Sequence, residues 1–257
     1  MIFYYSGCGN SRWVAEQLAA QLREELRFIP DLQREGVKEY AIAEGESVGF
    51  VFPIYSWAAP QLVTEFVEQV EWRGRAGYVW MACTCGDEMG MTHKTFRKTL
   101  LKAGLDLKGI FCFRMPNTYL CMPGFSLDKA GLVAEKLGKA EEKLPRVAQS
   151  IRDREAVTDI IIGPLPRLKS YIIKPGFVRY VSDKKYRFTE DCTGCGLCAK
   201  VCPLHNIKVV DGHPEWQHHC TQCMACYHHC PKNAIQYASY TKGKGQYFFG
   251  AIRGVAD

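Results

Sequence analysis

Two hydrophobic patterns alternate over residues 1–150. Short apolar runs, which predict buried strands, lie at 1–6, about 26–30, 47–54, 77–84 and 109–115. Between them, apolar residues recur at helical spacing, as in Val14, Leu18 and Leu22 after the first run. This alternation is typical of βαβ units with a parallel sheet. It predicts five strands and at least four helices in a three-layer α/β sandwich.

The pattern changes after residue 154. We expect an α/β domain over 1–154, a basic connecting segment over 155–187, a small cysteine-rich domain over 188–240 and a C-terminal tail over 241–257. Hydrophobic residues make up 47% of the 257 positions and charged residues 23%, which are ordinary globular values. They exclude a disordered or collagen-like chain.

The first apolar run, MIFYYS, has no preceding Lys or Arg and no small-residue cleavage pattern. The longest uncharged window, 47–64, is broken by Pro53 and Pro60 and is interpreted as strand, loop and helix start. We therefore expect a cytoplasmic protein without a membrane span.

The chain has 13 cysteines, an odd number that argues against a disulfide framework. Eight of them form two C-x2-C-x2-C-x3-C runs, each closed by a proline, and the two runs repeat at an offset of 28 residues. The first run is Cys192, Cys195, Cys198 and Cys202, and the second is Cys220, Cys223, Cys226 and Cys230.

Three thiolates spaced two residues apart can hold three irons of a 4Fe-4S cubane, and the fourth ligand must come from elsewhere. In the bacterial two-cluster arrangement, the last cysteine of each run ligates the other cluster. The expected ligand sets are therefore Cys192, Cys195, Cys198 with Cys230, and Cys220, Cys223, Cys226 with Cys202. A pair of zinc sites is the alternative, although zinc usually takes two separated pairs or Cys/His mixtures.

Ligands of doubly wound sheets bind at the carboxyl ends of the strands. The loop after the first strand is Ser6, Gly7, Cys8, Gly9, Asn10 and Ser11. Its glycines, hydroxyls and helix N-terminus predict a phosphate cradle. The alternative is a dinucleotide fingerprint, in which Asp31 would contact a ribose, but Arg12 stands where the third glycine should be.

Two further loops complete the predicted site. The loop after the third strand is Pro53, Ile54, Tyr55, Ser56 and Trp57, whose aromatics suit a flat ring system or pack against a neighbouring domain. The loop after the fourth strand is Thr84, Cys85, Gly86 and Asp87, and its N–H groups could meet the polar edge of such a ring.

Together, the Ser-Gly-x-Gly-Asn-Ser loop, the aromatic loop and the cysteine runs resemble the flavodoxin–ferredoxin fusion proteins of anaerobic microbes. The resemblance implies a flavodoxin-like, doubly wound α/β fold with a five-stranded parallel sheet, and a small α+β two-cluster ferredoxin domain. It implies that the first loop holds the phosphate of FMN and that Tyr55, Trp57 and residues 84–87 hold its isoalloxazine. Cys8 stands where flavodoxins usually carry Thr, so a hydroxyl contact is lost.

Cys8 lies at a helix N-terminus, where we expect its pKa to be lowered. Between Pro164 and Arg187, seven basic residues stand against the single acid Asp183. We expect this segment, Arg167–Arg187, to pack both domains or to dock a redox partner protein. Nucleic acid is not expected, since no binding motif accompanies these residues.

The implied function is electron transfer between two 4Fe-4S clusters and FMN, which joins one-electron and two-electron chemistry. The alternative is an FMN-dependent reductase of a small-molecule acceptor fed by the clusters.

Overall fold

The structure, a computed structural model, describes residues 1–254 and divides into two compact units. Unit 1 comprises Met1–Tyr5, Ser11–Met115 and Lys136–Gly176. Unit 2 comprises Ser6–Asn10, Pro116–Glu135 and the chain from Phe177. These boundaries differ from the expected ones, because the segment 155–187 is divided after Gly176 and the first loop groups with unit 2.

Eight strands belong to unit 1. They are β1 Ile2–Tyr4, β2 Leu26–Phe28, β3 Glu39–Ala41, β4 Ser47–Pro53, β5 Glu71–Arg73, β6 Tyr78–Cys85, β7 Leu107–Arg114 and β8 Thr158–Asp159. Six form one sheet in the order β2-β1-β4-β6-β7-β8, and every pair in it is parallel. The β3 and β5 strands form a separate parallel pair. The chain passes from β1 to the edge strand β2 and then continues on the other side of β1 with β4, so the sheet is doubly wound.

The helices follow the strands. They are α1 Asn10–Leu22, α2 Ile29–Arg34, α3 Gln61–Gln69, α4 Thr92–Lys102, α5 Ala130–Arg152, α6 Pro166–Leu168 and α7 Lys174–Val178. A π-helical turn at Lys169–Ile173 joins α6 to α7. The longest of these helices, α5, continues through Pro145.

Ring contacts and strand register place the helices of unit 1 on two faces of the sheet. Phe3 and Phe50 are register partners and share a face. Phe66 of α3 packs on Phe3, and Phe96 of α4 packs on Phe50. On the opposite face, α1 bonds to Thr84 through Ser11 and α5 places Lys143 over the ring of Phe113. The three-layer prediction is confirmed.

The sheet has six strands rather than the predicted five, so that strand count was wrong. The sixth, β8, pairs only Thr158 and Asp159 with β7. Because β8 has two residues, both polar, it carries no hydrophobic run that sequence reasoning could detect.

Unit 2 consists of short elements. They are β9 Tyr186–Phe188, α8 Leu197–Lys200, β10 Ile207–Val210, β11 His213–Trp216, α9 Ala225–His229, β12 Ile235–Tyr237, β13 Gln246–Phe248 and β14 Ala251–Arg253. Three antiparallel pairs form: β10 with β11, β9 with β12, and β13 with β14. The segment 241–257 was expected to be a tail, but its described part forms the β13–β14 hairpin.

The 28-residue repeat is also present in the backbone. Gly196 and Met224, which precede α8 and α9, both have left-handed φ angles, of 72° and 64°. His205 and Asn233 form a second equivalent pair, each with a φ of 49°. The two cysteine runs therefore fold as two copies of one motif. None of the described helices combines the length and hydrophobicity needed to cross a bilayer.

Candidate functional site

The first cavity of unit 2 collects cysteines from both runs. Its lining includes Cys192, Cys195 and Cys198 from the first run and Cys230 from the second. The space amounts to about 390 Å³, part of it open to solvent, and Val209 and Ile235 contribute apolar walls. The grouping is the crossed one expected from the sequence.

The second cavity has the complementary set. Cys220, Cys223 and Cys226 line it together with Cys202, and its volume is about 320 Å³, part of it open to solvent. Tyr186 and Trp216 lie in its wall, where their rings stack 5.4 Å apart. Each cavity is thus surrounded by four cysteines from two separate parts of the chain.

Burial raises the pKa of four of these thiols, which are Cys198, Cys202, Cys220 and Cys226. For Cys198 the burial effect is followed by repulsion from Cys192, Cys230 and Cys195, which share its cavity. Burial raises the pKa of Cys226 well above its ordinary value, with Cys223, Cys220 and Cys202 adding to the effect. Four thiolates around one cavity need a compensating cation, so the donor set fits a metal cluster.

Over residues 1–254, no three His, Cys, Asp or Glu side chains are close enough to bind one metal ion. A 4Fe-4S cluster takes thiolates at its corners, and four cysteines in the lining of each cavity fit that donor set.

Backbone N–H groups point at the cysteine sulfurs in a repeated pattern. Asn206 N donates to Cys202 Sγ at 3.3 Å, and Ala234 N donates to Cys230 Sγ at 3.2 Å, 28 residues later. Hydrogen bonds of this kind stabilise a thiolate and raise the reduction potential of a cluster bound to it.

A buried polar network supports the second cavity. The carboxylate of Asp183 accepts hydrogen bonds from Asn206 Nδ2 at 2.9 Å and from His218 N at 2.8 Å. Burial alone would raise the pKa of Asp183, but these hydrogen bonds outweigh it and hold the pKa below its ordinary value. Sequence reasoning missed both Asp183 and Asn206, although Asp183 is the single acid in the basic segment.

Residues Ser6–Asn10 of the first loop lie within unit 2. Ser6 Oγ accepts a hydrogen bond from Gly9 N at 3.1 Å, and Asn10 bonds through Nδ2 to Pro116 O and through Oδ1 to the hydroxyl of Tyr247. Within residues 1–254, the N–H groups of Gly7 and Cys8 have no hydrogen-bond acceptor. Free N–H groups in a glycine turn fit a phosphate. The Asn10 side chain, by contrast, already bonds to Pro116 and Tyr247.

Cys8 does not serve the phosphate cradle through its side chain. Its thiol is buried in the core of unit 2 and donates to the carbonyl oxygen of Cys223 at 3.1 Å. Burial, followed by the proximity of Cys223, raises the pKa of Cys8 well above its ordinary value. The expectation of a lowered pKa was wrong, because desolvation outweighs the helix N-terminus.

Ser11 and Thr84 bond to each other on one face of the sheet. Their hydroxyl oxygens are 2.8 Å apart, and both side chains are buried. Thr84 and Cys85 are the last residues of β6 rather than loop residues, while Gly86 and Asp87 follow the strand. Of these four residues, only Asp87 is exposed.

The aromatic loop is a tight reversal after β4. Tyr55 and Ala58 exchange both backbone hydrogen bonds, and the two residues between them, Ser56 and Trp57, have φ angles of 49° and 57°. Two consecutive left-handed residues that are not glycine store backbone strain, which is typical of ligand sites. Ser56 Oγ is buried and has no hydrogen-bond partner among residues 1–254.

Trp57 is held by side chains of unit 1. Its Nε1 donates to Glu88 Oε1 at 2.7 Å, and Lys169 lies 5.4 Å from its ring centroid while also pairing with Glu88. Tyr55 meets the hydroxyl of Tyr5 at 3.4 Å. Pro53 ends β4 and Ile54 N donates to Thr84 O. Trp57 is therefore anchored by side chains of its own unit rather than by a neighbouring domain.

Comparison with protein families assigns both regions. Residues 1–120 match a flavodoxin domain, and residues 190–235 match a 4Fe-4S dicluster domain. A comparison with curated proteins finds no match.

Several solved structures are similar in part. The Trp repressor binding protein from Bacillus subtilis is 13% identical, with 61% of this chain and 100% of that chain covered and a TM-score of 0.38. A flavodoxin from Streptococcus pneumonia TIGR4 is also 13% identical, with coverages of 59% and 96% and a TM-score of 0.38. An NAD(P)H:quinone oxidoreductase from Methanothermobacter marburgensis is 15% identical, with coverages of 61% and 95% and a TM-score of 0.36.

The domain matches agree with the doubly wound sheet of unit 1 and with the cysteine-lined cavities of unit 2. They support FMN and iron–sulfur chemistry in electron transport. The chain joins a flavodoxin domain to a 4Fe-4S dicluster domain and is therefore a flavodoxin–ferredoxin fusion.

Proposed function

We propose that this protein binds two 4Fe-4S clusters and one FMN and passes electrons between them. The observation that carries the proposal is the crossed arrangement of eight cysteines around two cavities. Each cluster would take one electron at a time and FMN one or two, so the bound groups would connect one-electron and two-electron chemistry.

The proposed ligands follow the cavity linings. Cys192, Cys195, Cys198 and Cys230 would hold one cluster, and Cys202, Cys220, Cys223 and Cys226 the other. The N–H groups of Asn206 and Ala234 would stabilise thiolate charge at Cys202 and Cys230. Asp183 would keep the loop of Asn206 and His218 in place beside the second cavity.

The proposed FMN contacts are those that the structure leaves available. The N–H groups of Gly7 and Cys8 would bind the phosphate, together with Gly9, whose φ of 96° keeps the turn open. The strained loop at Tyr55 and Ser56, and the backbone of Gly86 and Asp87, would contact the ring system.

A redox partner protein is proposed to dock on the part of the basic segment that lies in unit 2. Lys184, Lys185 and Arg187 are exposed and flank Tyr186, which lines the second cavity. A cationic rim beside a cluster would attract an acidic electron-transfer protein and speed its association.

The cluster assignment is tested by serine variants of single cysteines, purified without oxygen. Cys202→Ser and Cys226→Ser should each lose half of the iron and leave the same electron paramagnetic resonance signal, because both remove a ligand of the second cluster. Cys230→Ser and Cys198→Ser should share the other signal. Cys112→Ser, in unit 1, is the matched control and should keep all of the iron. If Cys202→Ser shares its signal with Cys198→Ser, the crossed assignment is wrong.

The carrier function is tested by comparing acceptors. Pre-reduced protein should react slowly with quinones and rapidly with an acidic electron-transfer protein. Fast steady-state reduction of a quinone by the isolated protein would instead support the reductase alternative. Lys185→Glu should slow only the reaction with the acidic protein.

A further inference from the structure

Unit 1 presents a row of apolar side chains on a helical segment. Residues 165–174 include five exposed large hydrophobics, among them Leu165 at 66%, Ile172 at 68% and Tyr171 at 50% exposure. The other two are Leu168 and Ile173. Soluble surfaces scatter such residues singly, so a concentration of this kind marks an interaction site.

The inner side of the segment is fixed to unit 1. The buried hydroxyl of Ser170 donates to Trp57 O at 2.9 Å and accepts from Met91 N at 2.8 Å. A side chain at Gly90 would lie 2.6 Å from the Ser170 hydroxyl, so this close approach depends on glycine. Lys169 pairs with Glu88 on the same side. The opposite, apolar side is thereby held towards solvent.

Cations lie within the segment and on the neighbouring helix α4. Arg167 and Lys174 belong to the segment, and the Met91 contact places it next to the start of α4, which carries exposed Lys94, Arg97 and Lys98. Within residues 1–254, none of these five cations forms an ion pair with a carboxylate. The nearby Glu88 is already engaged by Lys169.

We propose that this basic and apolar surface, residues 165–174 with the exposed side of α4, binds an anionic lipid membrane. A helix that lies in a membrane interface has aliphatic and aromatic residues on its outer face and Lys or Arg around them. The cations match lipid phosphates, and the protruding Leu165, Tyr171 and Ile172 match the boundary between headgroups and acyl chains. An acidic redox protein would complement the cations but not the exposed apolar side chains, because transient electron-transfer interfaces are small and hydrated.

The expected changes in membrane binding follow from the cations and from the apolar side chains of this surface. Each cation near an anionic surface changes the membrane partition coefficient about fivefold. Removal of one inserted aliphatic side chain in favour of a carboxylate should lower it at least about tenfold. High salt should weaken binding, because the Debye length falls to about 3 Å at 1 M ionic strength.

The test is flotation of the holoprotein with lipid vesicles, under anaerobic conditions. Vesicles of phosphatidylcholine with phosphatidylglycerol should carry the protein upward, and vesicles of phosphatidylcholine alone should not. Ile172→Asp should lower the partition coefficient at least about tenfold, and Arg97→Gln should lower it about fivefold. Ile252→Asp, an exposed apolar residue of unit 2, and Arg75→Gln, an exposed arginine of unit 1, are the matched controls and should float like the unaltered protein.

Flavin and iron are measured on the same samples, so a loss of cofactor is distinguished from a loss of lipid binding. The proposal is overturned if no vesicle binds the protein, or if Ile172→Asp floats like Ile252→Asp. Binding to polyglutamate but not to anionic vesicles would also overturn it and assign the surface to an acidic protein.

Discussion

Replacing Thr84 with valine should destabilise unit 1, although the two side chains have nearly the same shape. The Thr84 hydroxyl is 2.8 Å from the hydroxyl of Ser11. Ser11 is 1% exposed and Thr84 is 3% exposed, so water cannot replace the lost partner. The substitution leaves the Ser11 hydroxyl buried and unpaired.

The size of the effect comes from that unpaired group. A buried polar atom without a partner costs about 1–3 kcal/mol, so Thr84→Val should lower the free energy of unfolding by about 2 kcal/mol. Ser11→Ala should cost a similar amount, because it leaves the Thr84 hydroxyl unpaired. The double variant removes both polar atoms and should cost about 1 kcal/mol or less. The two substitutions are therefore expected to be strongly non-additive.

The assay is equilibrium unfolding in urea, followed by tryptophan fluorescence without oxygen. Four of the five tryptophans, Trp13, Trp57, Trp72 and Trp80, belong to unit 1, so the signal reports mainly on that unit. Thr64→Val is the matched control, because the Thr64 hydroxyl on α3 is accessible and bonds only to Gln61 O. It should change the free energy of unfolding by less than about 0.5 kcal/mol.

Two results would refute this reasoning. One is a Thr84→Val protein as stable as the Thr64→Val control. The other is a double variant whose loss equals the sum of the two single losses, since that would mean that the hydroxyls do not depend on each other.

Three further predictions concern single residues. Gly49→Ala should destabilise unit 1 by about 1–3 kcal/mol, because the new Cβ would lie 2.2 Å from the Trp80 ring. Gly138→Ala on α5 should instead stabilise unit 1 by up to about 1 kcal/mol, because no atom lies within 4 Å of the new Cβ. The midpoints of urea unfolding measure both changes. Burial, followed by the charges of Lys94 and Arg97, lowers the pKa of His93 below its ordinary value of 6.5. Neutral His93 should therefore contribute its full share of the free energy of unfolding above pH 6.5, and this share should be lost as the pH falls below 6.5. Urea unfolding at pH 8 and at pH 5.5 should show that His93→Gln lacks this pH dependence. Gly9→Ala should weaken FMN binding measured by flavin fluorescence, because its φ is +96° and its Cβ would lie 2.8 Å from Phe249 Cβ; unchanged affinity would contradict the phosphate assignment.

Elements with strong local signals were predictable from the sequence. The buried apolar runs at 47–54 and 77–84 became β4 and β6, with ends displaced by a residue. The two cysteine runs were visible from spacing and repetition, and the bacterial two-cluster arrangement predicted which of them share a cavity. These features depend on neighbouring residues, which a sequence displays directly.

The remaining features depend on partners that lie far apart in the chain. Trp57 bonds to Glu88, 31 residues away, and nothing in either loop indicates that pairing. Cys8 is buried against Cys223, 215 residues away, which reverses the expected direction of its pKa shift. The β13–β14 hairpin was missed because its short strands lie in the segment that was taken for a C-terminal tail.

We propose that one chain carries two clusters and one flavin and passes electrons between them. The most direct test is an anaerobic reductive titration, with iron, sulfide and flavin measured on the same sample. Two one-electron clusters and one flavin together predict uptake of about four electrons per chain, divided equally between cluster and flavin absorbance. Uptake of two electrons or fewer by protein that retains its full metal content, or zinc in place of iron, would contradict the account.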